Sequence, residues 1–140
     1  MSDPHTGGCR CGAVRFSARA EPHHVSYCHC ADCRRATGAP LAAFVGFMAD
    51  EVSVDGGELR RFENGPVTRS FCGVCGSPIS YADARIGERI YFLLGVMDQP
   101  ALYRPTQHAH VREQLPFVHM PDGLPRHVKT SVPRPDGTTE

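Results

Sequence analysis

The sequence predicts a small, mainly β fold, and three observations carry that expectation. Short alternating or apolar segments recur along the chain. Turn residues separate them. Only one stretch reads as a helix, and it is short. In chain order, Ala13–Ala18 sets Val14 and Phe16 between polar neighbours, the period of a half-buried strand. Leu41–Met48 is apolar and contains Phe44, Val45 and Phe47. Glu58–Phe62, Val67–Phe71, Pro78–Tyr81, Arg89–Val96 and His108–Val111 are further expected strands. Asp55-Gly56-Gly57 and Asn64-Gly65-Pro66 punctuate them. Ala31–Thr37 is the expected helix.

A chain of 140 residues suits one compact domain, and no repeat or linker divides it. We expect a single domain over residues 1–125 and a C-terminal tail over 126–140. From Met120 onward the chain is rich in Pro, Gly and polar residues, as expected of a segment that wraps the surface and ends in disorder. Trp is absent and the large apolar residues are few, so a fold of this size needs staples beyond its core.

Charge narrows the partners. Lys plus Arg numbers 15 and Asp plus Glu numbers 15, so the net charge is zero. That balance lacks the basic bias of a nucleic-acid binder. No apolar stretch approaches the roughly 20 residues needed to span a bilayer. Met1–Gly8 is polar and lacks the apolar centre of a signal peptide. The expected setting is therefore cytoplasmic, with no nucleic-acid or membrane partner. Thiols stay reduced there, so clustered cysteines point to metal or catalysis rather than to disulfides.

The seven cysteines fall into three groups: Cys9 and Cys11; Cys28, Cys30 and Cys33; Cys72 and Cys75. Residues i and i+2 of an extended chain share a face, so each Cys-x-Cys can aim two sulfurs at one ion. Cys72-Gly73-Val74-Cys75-Gly76 has the form of a zinc knuckle, in which Gly supplies a left-handed turn. Structural zinc takes four ligands, and the two pairs Cys9, Cys11, Cys72 and Cys75 make one set. Such an ion can contribute roughly 10–16 kcal/mol in small peptides, more than a typical domain's net stability. The triplet Cys28, Cys30 and Cys33 leaves a coordination position open, the mark of a catalytic or substrate-binding zinc. We therefore expect two zinc ions per chain, with the triplet as the catalytic centre.

Residues beside that centre carry expectations of their own. His29 lies between two ligands and points to the opposite face of an extended backbone, which favours a packed or hydrogen-bonded role over ligation or proton transfer. Asp32 is expected to cap the helix. Arg34 or Arg35 could meet a substrate carboxylate or serve structure. Thr37 and Gly38 are expected to shape the turn after the helix. His108 and His110 would share a strand face, with structural roles. A redox Cys-x-x-Cys would need an α/β pattern that this chain lacks. A three-cysteine deaminase would need a His-x-Glu and a Pro-Cys-x-x-Cys, and neither is present.

The motifs also resemble a known family. Gly7-Gly8-Cys9-Arg10-Cys11-Gly12, Cys28-His29-Cys30 through Cys33-Arg34-Arg35-Ala36-Thr37-Gly38, and Arg69-Ser70-Phe71-Cys72 through Cys75-Gly76-Ser77-Pro78 are similar to those of the glutathione-dependent formaldehyde-activating enzymes, which include centromere protein V. Leu94-Gly95-Val96-Met97-Asp98, His108 and Asp122-Gly123-Leu124-Pro125 extend the likeness. The resemblance implies a β-tent, a small β-sandwich-like zinc fold with few short helices. It implies a structural ion at Cys9, Cys11, Cys72 and Cys75 and a second ion at Cys28, Cys30 and Cys33. It also implies a carbon–sulfur lyase that joins glutathione and formaldehyde. The expected function is an enzyme that binds a small thiol, glutathione among the candidates, and adds it to an aldehyde. The alternatives are a non-catalytic zinc scaffold that binds another protein and, less in keeping with the charge, a nucleic-acid-binding zinc ribbon.

Overall fold

The computed structural model describes residues 4–133. Ten strands and one α-helix build it: β1 His5–Gly8, β2 Arg15–Ala18, β3 His24–Cys28, α1 Ala31–Thr37, β4 Ala42–Met48, β5 Val52–Asp55, β6 Leu59–Asn64, β7 Val67–Cys72, β8 Pro78–Asp83, β9 Arg89–Leu93 and β10 His108–Ala109. They form two sheets. The smaller has the order β1-β2-β5, and the larger β10-β3-β4-β9-β8-β7-β6. Neighbours pair antiparallel except β10, which lies parallel to β3. The mainly β expectation holds, and α1 has the bounds read from the sequence.

Alternation along the central strands divides the larger sheet into two functional faces. Val45 and Phe47 of β4, Phe92 of β9 and Ile79 of β8 turn toward the smaller sheet. There they meet Val14, Phe16 and Ala18, and the Phe16 and Phe92 rings stack at 3.7 Å. This is the main core. Phe44 of β4 and Tyr91 and Leu93 of β9 point the other way, into a second cluster with Cys28, Cys33, Ile86 and Ala109. The second cluster is the floor of the candidate site.

Several boundaries differ from the sequence reading. β1, β3 and β5 were not expected. The expected strand Arg89–Val96 stops at Leu93, because Leu94–Val96 forms a 3-10 turn. The expected strand His108–Val111 contains only His108 and Ala109. His110 adopts a left-handed backbone, with φ of 55°, and this turns the chain into a 3-10 turn at Val111–Glu113. His108 and His110 therefore do not share a strand face. Of the tail, residues 126–132 return to the site, where His127 N–H donates to the His108 carbonyl at 2.8 Å. Residues 134–140 lie outside the described residues. No helix among the described residues is long and apolar enough to cross a membrane.

Candidate metal centres

The first centre joins the chain after β1 to the end of β7. Cys9 follows β1 and Cys11 sits in the turn that follows, so these two meet through a turn rather than through strand alternation. Cys72 ends β7, and Cys75 completes the turn to Gly76, whose φ of 78° is the left-handed conformation expected of a knuckle. The sulfurs of Cys9, Cys11, Cys72 and Cys75 lie within 4.8 Å of one another. Cys9 and Cys11 are 3.6 Å apart, and Cys11 and Cys72 are 3.8 Å apart. Zinc–sulfur bonds of about 2.3 Å in a tetrahedron put sulfurs about 3.8 Å apart, so this donor set fits zinc. A disulfide needs about 2.05 Å, and all seven cysteines are free. Backbone N–H groups already point at the sulfurs: Val14 donates to Cys9 at 3.2 Å and Val74 to Cys72 at 3.3 Å. Hydrogen bonds from the Ser77 side chain and backbone hold the Cys75 thiol down at about 5.

The second centre is built from the end of β3 and the start of α1. Cys28 is the last residue of the strand, and Cys30 is the N-cap of the helix. The Cys30 sulfur accepts from Cys33 N–H at 3.3 Å. Asp32, expected as the cap, instead projects from the first turn and accepts from Arg69 at 2.6 Å. The sulfurs of Cys28, Cys30 and Cys33 lie within 4.8 Å of one another, with Cys28 and Cys30 at 3.4 Å. Neither His29 nor Asp32 belongs to this group. Three thiols this close compete for charge. Hydrogen bonds from Cys28 and Cys33 hold the Cys30 thiol down at about 2, while the same contacts and burial drive Cys28 far up. A dication among them would remove that competition by stabilising all three thiolates.

Two hollows lie close to this centre, and one of them is lined by its cysteines. An inner cavity of about 100 Å³ is walled by the three cysteines, the second apolar cluster, and Thr130, Ser131 and Val132 of the tail. An outer cleft of about 360 Å³ runs toward Gly76, past Phe62, Asn64, Phe71 and Arg35. Asp32 and Arg69 line both. Arg69 also approaches the Cys33 sulfur at 3.5 Å and lies 4.9 Å from the centre of the Tyr81 ring.

Comparison with known proteins follows the same lines. A family model described as glutathione-dependent formaldehyde-activating enzyme matches residues 4–113. The chain belongs to that family. A Halomonas elongata protein that carries this enzyme name provisionally is 31% identical over 114 residues, covering 75% of this chain and 72% of its own. A Schizosaccharomyces pombe protein named as an uncharacterized lyase is 29% identical over 89 residues, covering 64% of each chain. A Rhodobacter sphaeroides protein of known crystal structure shares the fold, with a TM-score of 0.55 at 21% identity over 87% of this chain and 98% of its own.

Within this family member, three groups around the second centre were not legible as a set. The first is a buried chain of hydrogen bonds beneath the cysteine loop. His29 and His108 are both fully buried. His29 Nε2 and His108 Nδ1 are 2.9 Å apart, and His108 Nε2 lies 2.9 Å from Asp122 Oδ2. With Asp122 ionised, the chain is satisfied when each histidine carries its proton on Nε2. The second is a brace: Arg34 donates to the carbonyls of His29 at 2.7 Å and Glu113 at 2.6 Å. Arg34 is thus structural, while Arg35 is exposed at the outer cleft. Thr37 donates to the Cys33 carbonyl at 2.9 Å, and Gly38 caps the helix, as expected. The third group is the pair Tyr81 and Tyr91 on the cavity floor. Tyr81 donates to Asp83 at 3.1 Å, and Asp83 is paired with Arg85. The Tyr91 hydroxyl is buried without a hydrogen-bond partner.

Proposed function

We propose that both cysteine groups hold zinc and that the second activates a small thiol for addition to a small aldehyde. Cys9, Cys11, Cys72 and Cys75 form the structural site. Cys28, Cys30 and Cys33 form the catalytic one. The observation that carries this reading is that the three buried or half-buried sulfurs converge on the wall of a cavity, where a fourth ligand can approach. Zinc held by three thiolates favours a further sulfur ligand and keeps a bound thiol in its deprotonated form.

The chain's own residues do the rest. The outer cleft is large enough for the body of a peptide thiol such as glutathione, and Arg35 at its edge suits a substrate carboxylate. Arg69 offsets negative charge at Cys33 and, with Asp32, forms the threshold between cleft and cavity. The inner cavity, with all three cysteines in its wall, places a small aldehyde such as formaldehyde beside the sulfur. Attack of sulfur forms the C–S bond, moves the C=O π pair onto oxygen, and leaves a hydroxymethyl thioether once that oxygen takes up the proton the thiol gave. The reverse is a carbon–sulfur lyase reaction.

Cobalt substitution tests the reading. Glutathione or another small thiol should increase sulfur-to-cobalt charge-transfer absorption, more strongly as pH rises toward the thiol pKa. The S-methyl analogue should not. Spectra unmoved by every thiol would remove the thiol-accepting site.

A further inference from the structure

The two edges of the larger sheet are finished differently. Beyond β10 the chain returns and covers the edge: His108 N–H donates to the Pro125 carbonyl at 2.9 Å, and His127 N–H donates to the His108 carbonyl at 2.8 Å. The opposite edge is β6, and among the described residues no strand lies beyond it. Leu59 is half-buried and residues 60–64 are exposed, with Phe62 at 63%. An open edge offers a row of free backbone groups, which proteins blunt with a short strand, a proline, a bulge or charge. β6 has six residues, Pro66 lies in the turn after it, and its register with β7 runs unbroken from Leu59 opposite Cys72 to Asn64 opposite Val67. It does carry charge, and the order of its charges decides what they do.

The ladder fixes which backbone groups point outward. Gly73 N–H donates to the Glu58 carbonyl at 2.7 Å, so Arg60, Phe62 and Asn64 also turn their N–H and C=O toward β7. Leu59, Arg61 and Glu63 turn theirs away. Leu59 N–H is taken by the Gly56 carbonyl at 3.3 Å, which leaves Arg61 and Glu63 as the open positions. The side chains of these two residues make no ion pair or hydrogen bond among the described residues. Phe62, between them, points to the other face and lines the outer cleft. A second β6 laid antiparallel about a two-fold axis at Phe62 sets Arg61 of each copy opposite Glu63 of the other. Each such pair exchanges both backbone bonds and puts opposite charges side by side. Slipping the second strand by two residues one way sets Arg61 against Arg61, and the other way sets Glu63 against Glu63. Both are like-charge pairs, and a slip of one residue turns outward groups against inward ones, so the strand is complementary to itself in a single register.

We propose that the chain pairs with a second copy of itself through β6, in a two-fold dimer whose axis passes between the two Phe62 residues. The larger sheets of the two copies then become one continuous sheet. Phe62 meets its mate at the closely spaced, non-hydrogen-bonded position, with Cα atoms about 4.5 Å apart, and the two rings cover one another. Because Phe62 lines the outer cleft, the two clefts meet at the axis, and each receives the other copy's Phe62 at its rim. A two-fold pairing uses the same edge of both copies, and the far edge is covered by the returning chain, so the sheet extends no further. An interface one strand wide is weak and follows concentration. The pairing needs neither the thiol–aldehyde reaction nor the ion that would serve it.

Two measurements on the full chain at low salt test this. The first is sedimentation equilibrium, which should show a monomer–dimer equilibrium below about 1 mM chain. Arg61→Glu should weaken association by about tenfold or more, because both symmetric pairs become like-charged, and Glu63→Arg should do the same. The double variant, Arg61→Glu with Glu63→Arg, restores opposite charges and should return the dissociation constant to within about threefold of wild type. Both residues are exposed, so melting temperatures should match wild type. A wild-type chain that stays monomeric at about 1 mM overturns the proposal. So does a dimer that the single variants leave intact or the double variant fails to restore. The second measurement is amide exchange by NMR in dilute and concentrated wild type, and it decides the matter should a variant melt lower. Exchange at Arg61 and Glu63 should slow as the chain is concentrated, while Phe62 N–H, already turned to β7, should not change. Exchange at Arg61 and Glu63 that ignores concentration means that any dimer uses another face, and the proposal falls.

Discussion

Removing the ring of His108 should weaken both the fold and the second metal centre, although His108 is no ligand. Its ring is fully buried, makes two hydrogen bonds of 2.9 Å, and stacks on Tyr27 with ring centres 4.9 Å apart. In His108→Ala, His29 keeps a buried N–H with nothing to receive it, at about 1–3 kcal/mol. The cavity and the lost stacking add about 2 kcal/mol. The combined destabilisation is about 4 kcal/mol, and for a chain of this size each kcal/mol moves the midpoint by about 3–4 °C. The melting temperature should therefore fall by about 12–16 °C. His29 lies between Cys28 and Cys30, so its loosened ring should also lower zinc affinity at that centre by about tenfold, the low end for residues that orient ligands. The four-cysteine centre should be untouched. Circular-dichroism melts at fixed zinc, with chelator competition for each ion, measure both effects. A variant that melts within about 3 °C of wild type and keeps both affinities would show that this buried chain does not brace the cysteine loop.

Two further perturbations separate the remaining claims. Cys72→Ser should lower stability sharply, while Cys30→Ser should lose the second zinc and any turnover at a smaller stability cost; equal unfolding from both would erase the distinction between structural and catalytic centres. Burial, with the charges of His23 and Arg89, pulls the His24 imidazole down to about 4, against about 6.5 in an unfolded chain. Its contribution is therefore intact above about pH 6.5 and lost as pH falls toward 4, at most about 3 kcal/mol, because only the unfolded chain takes the proton in that window. Urea titrations from pH 7 to pH 4.5 should show the decline, and His24→Gln should flatten part of it; an unchanged slope would clear His24 of the effect.

The cysteine groups were legible because spacing alone brings Cys-x-Cys and Cys-x-x-Cys sulfurs together, whether through the turn at Cys9–Cys11 or the extended backbone at Cys28–Cys30. The apolar strands β4 and β9 were legible for the same local reason. β3 was not, because its site-facing residues His24, Ser26 and Cys28 are polar or thiol-bearing where a strand pattern expects apolar ones. β1, with His5, Thr6 and two glycines, carries no apolar signal at all. The contacts that finish the site join residues far apart in sequence. Arg69 meets Asp32 across 37 positions and His108 meets His29 across 79, and no local pattern announces such pairs. The left-handed backbone at His110 belongs to the same class, since nothing adjacent to it demands that turn.

The return of residues 126–132 over the inner cavity has a consequence for how this protein is made. Cys28, Cys30 and Cys33 leave the ribosome early. Tyr91 follows much later, and Val132, which closes the wall, later still. During that interval the three thiols have neither walls nor His108 behind them. They are open to oxidants and to whichever soft metal arrives first. A metal bound here would meet a complete wall only after residue 132 has emerged, whereas the four sulfurs of the other centre are all present by Cys75, with Ile79, Phe92, Met97 and Tyr103 still to close the core around Cys9 and Cys72. On the proposed reading, removing residues 126–132 should weaken metal binding at the three-cysteine centre and leave the four-cysteine centre in place.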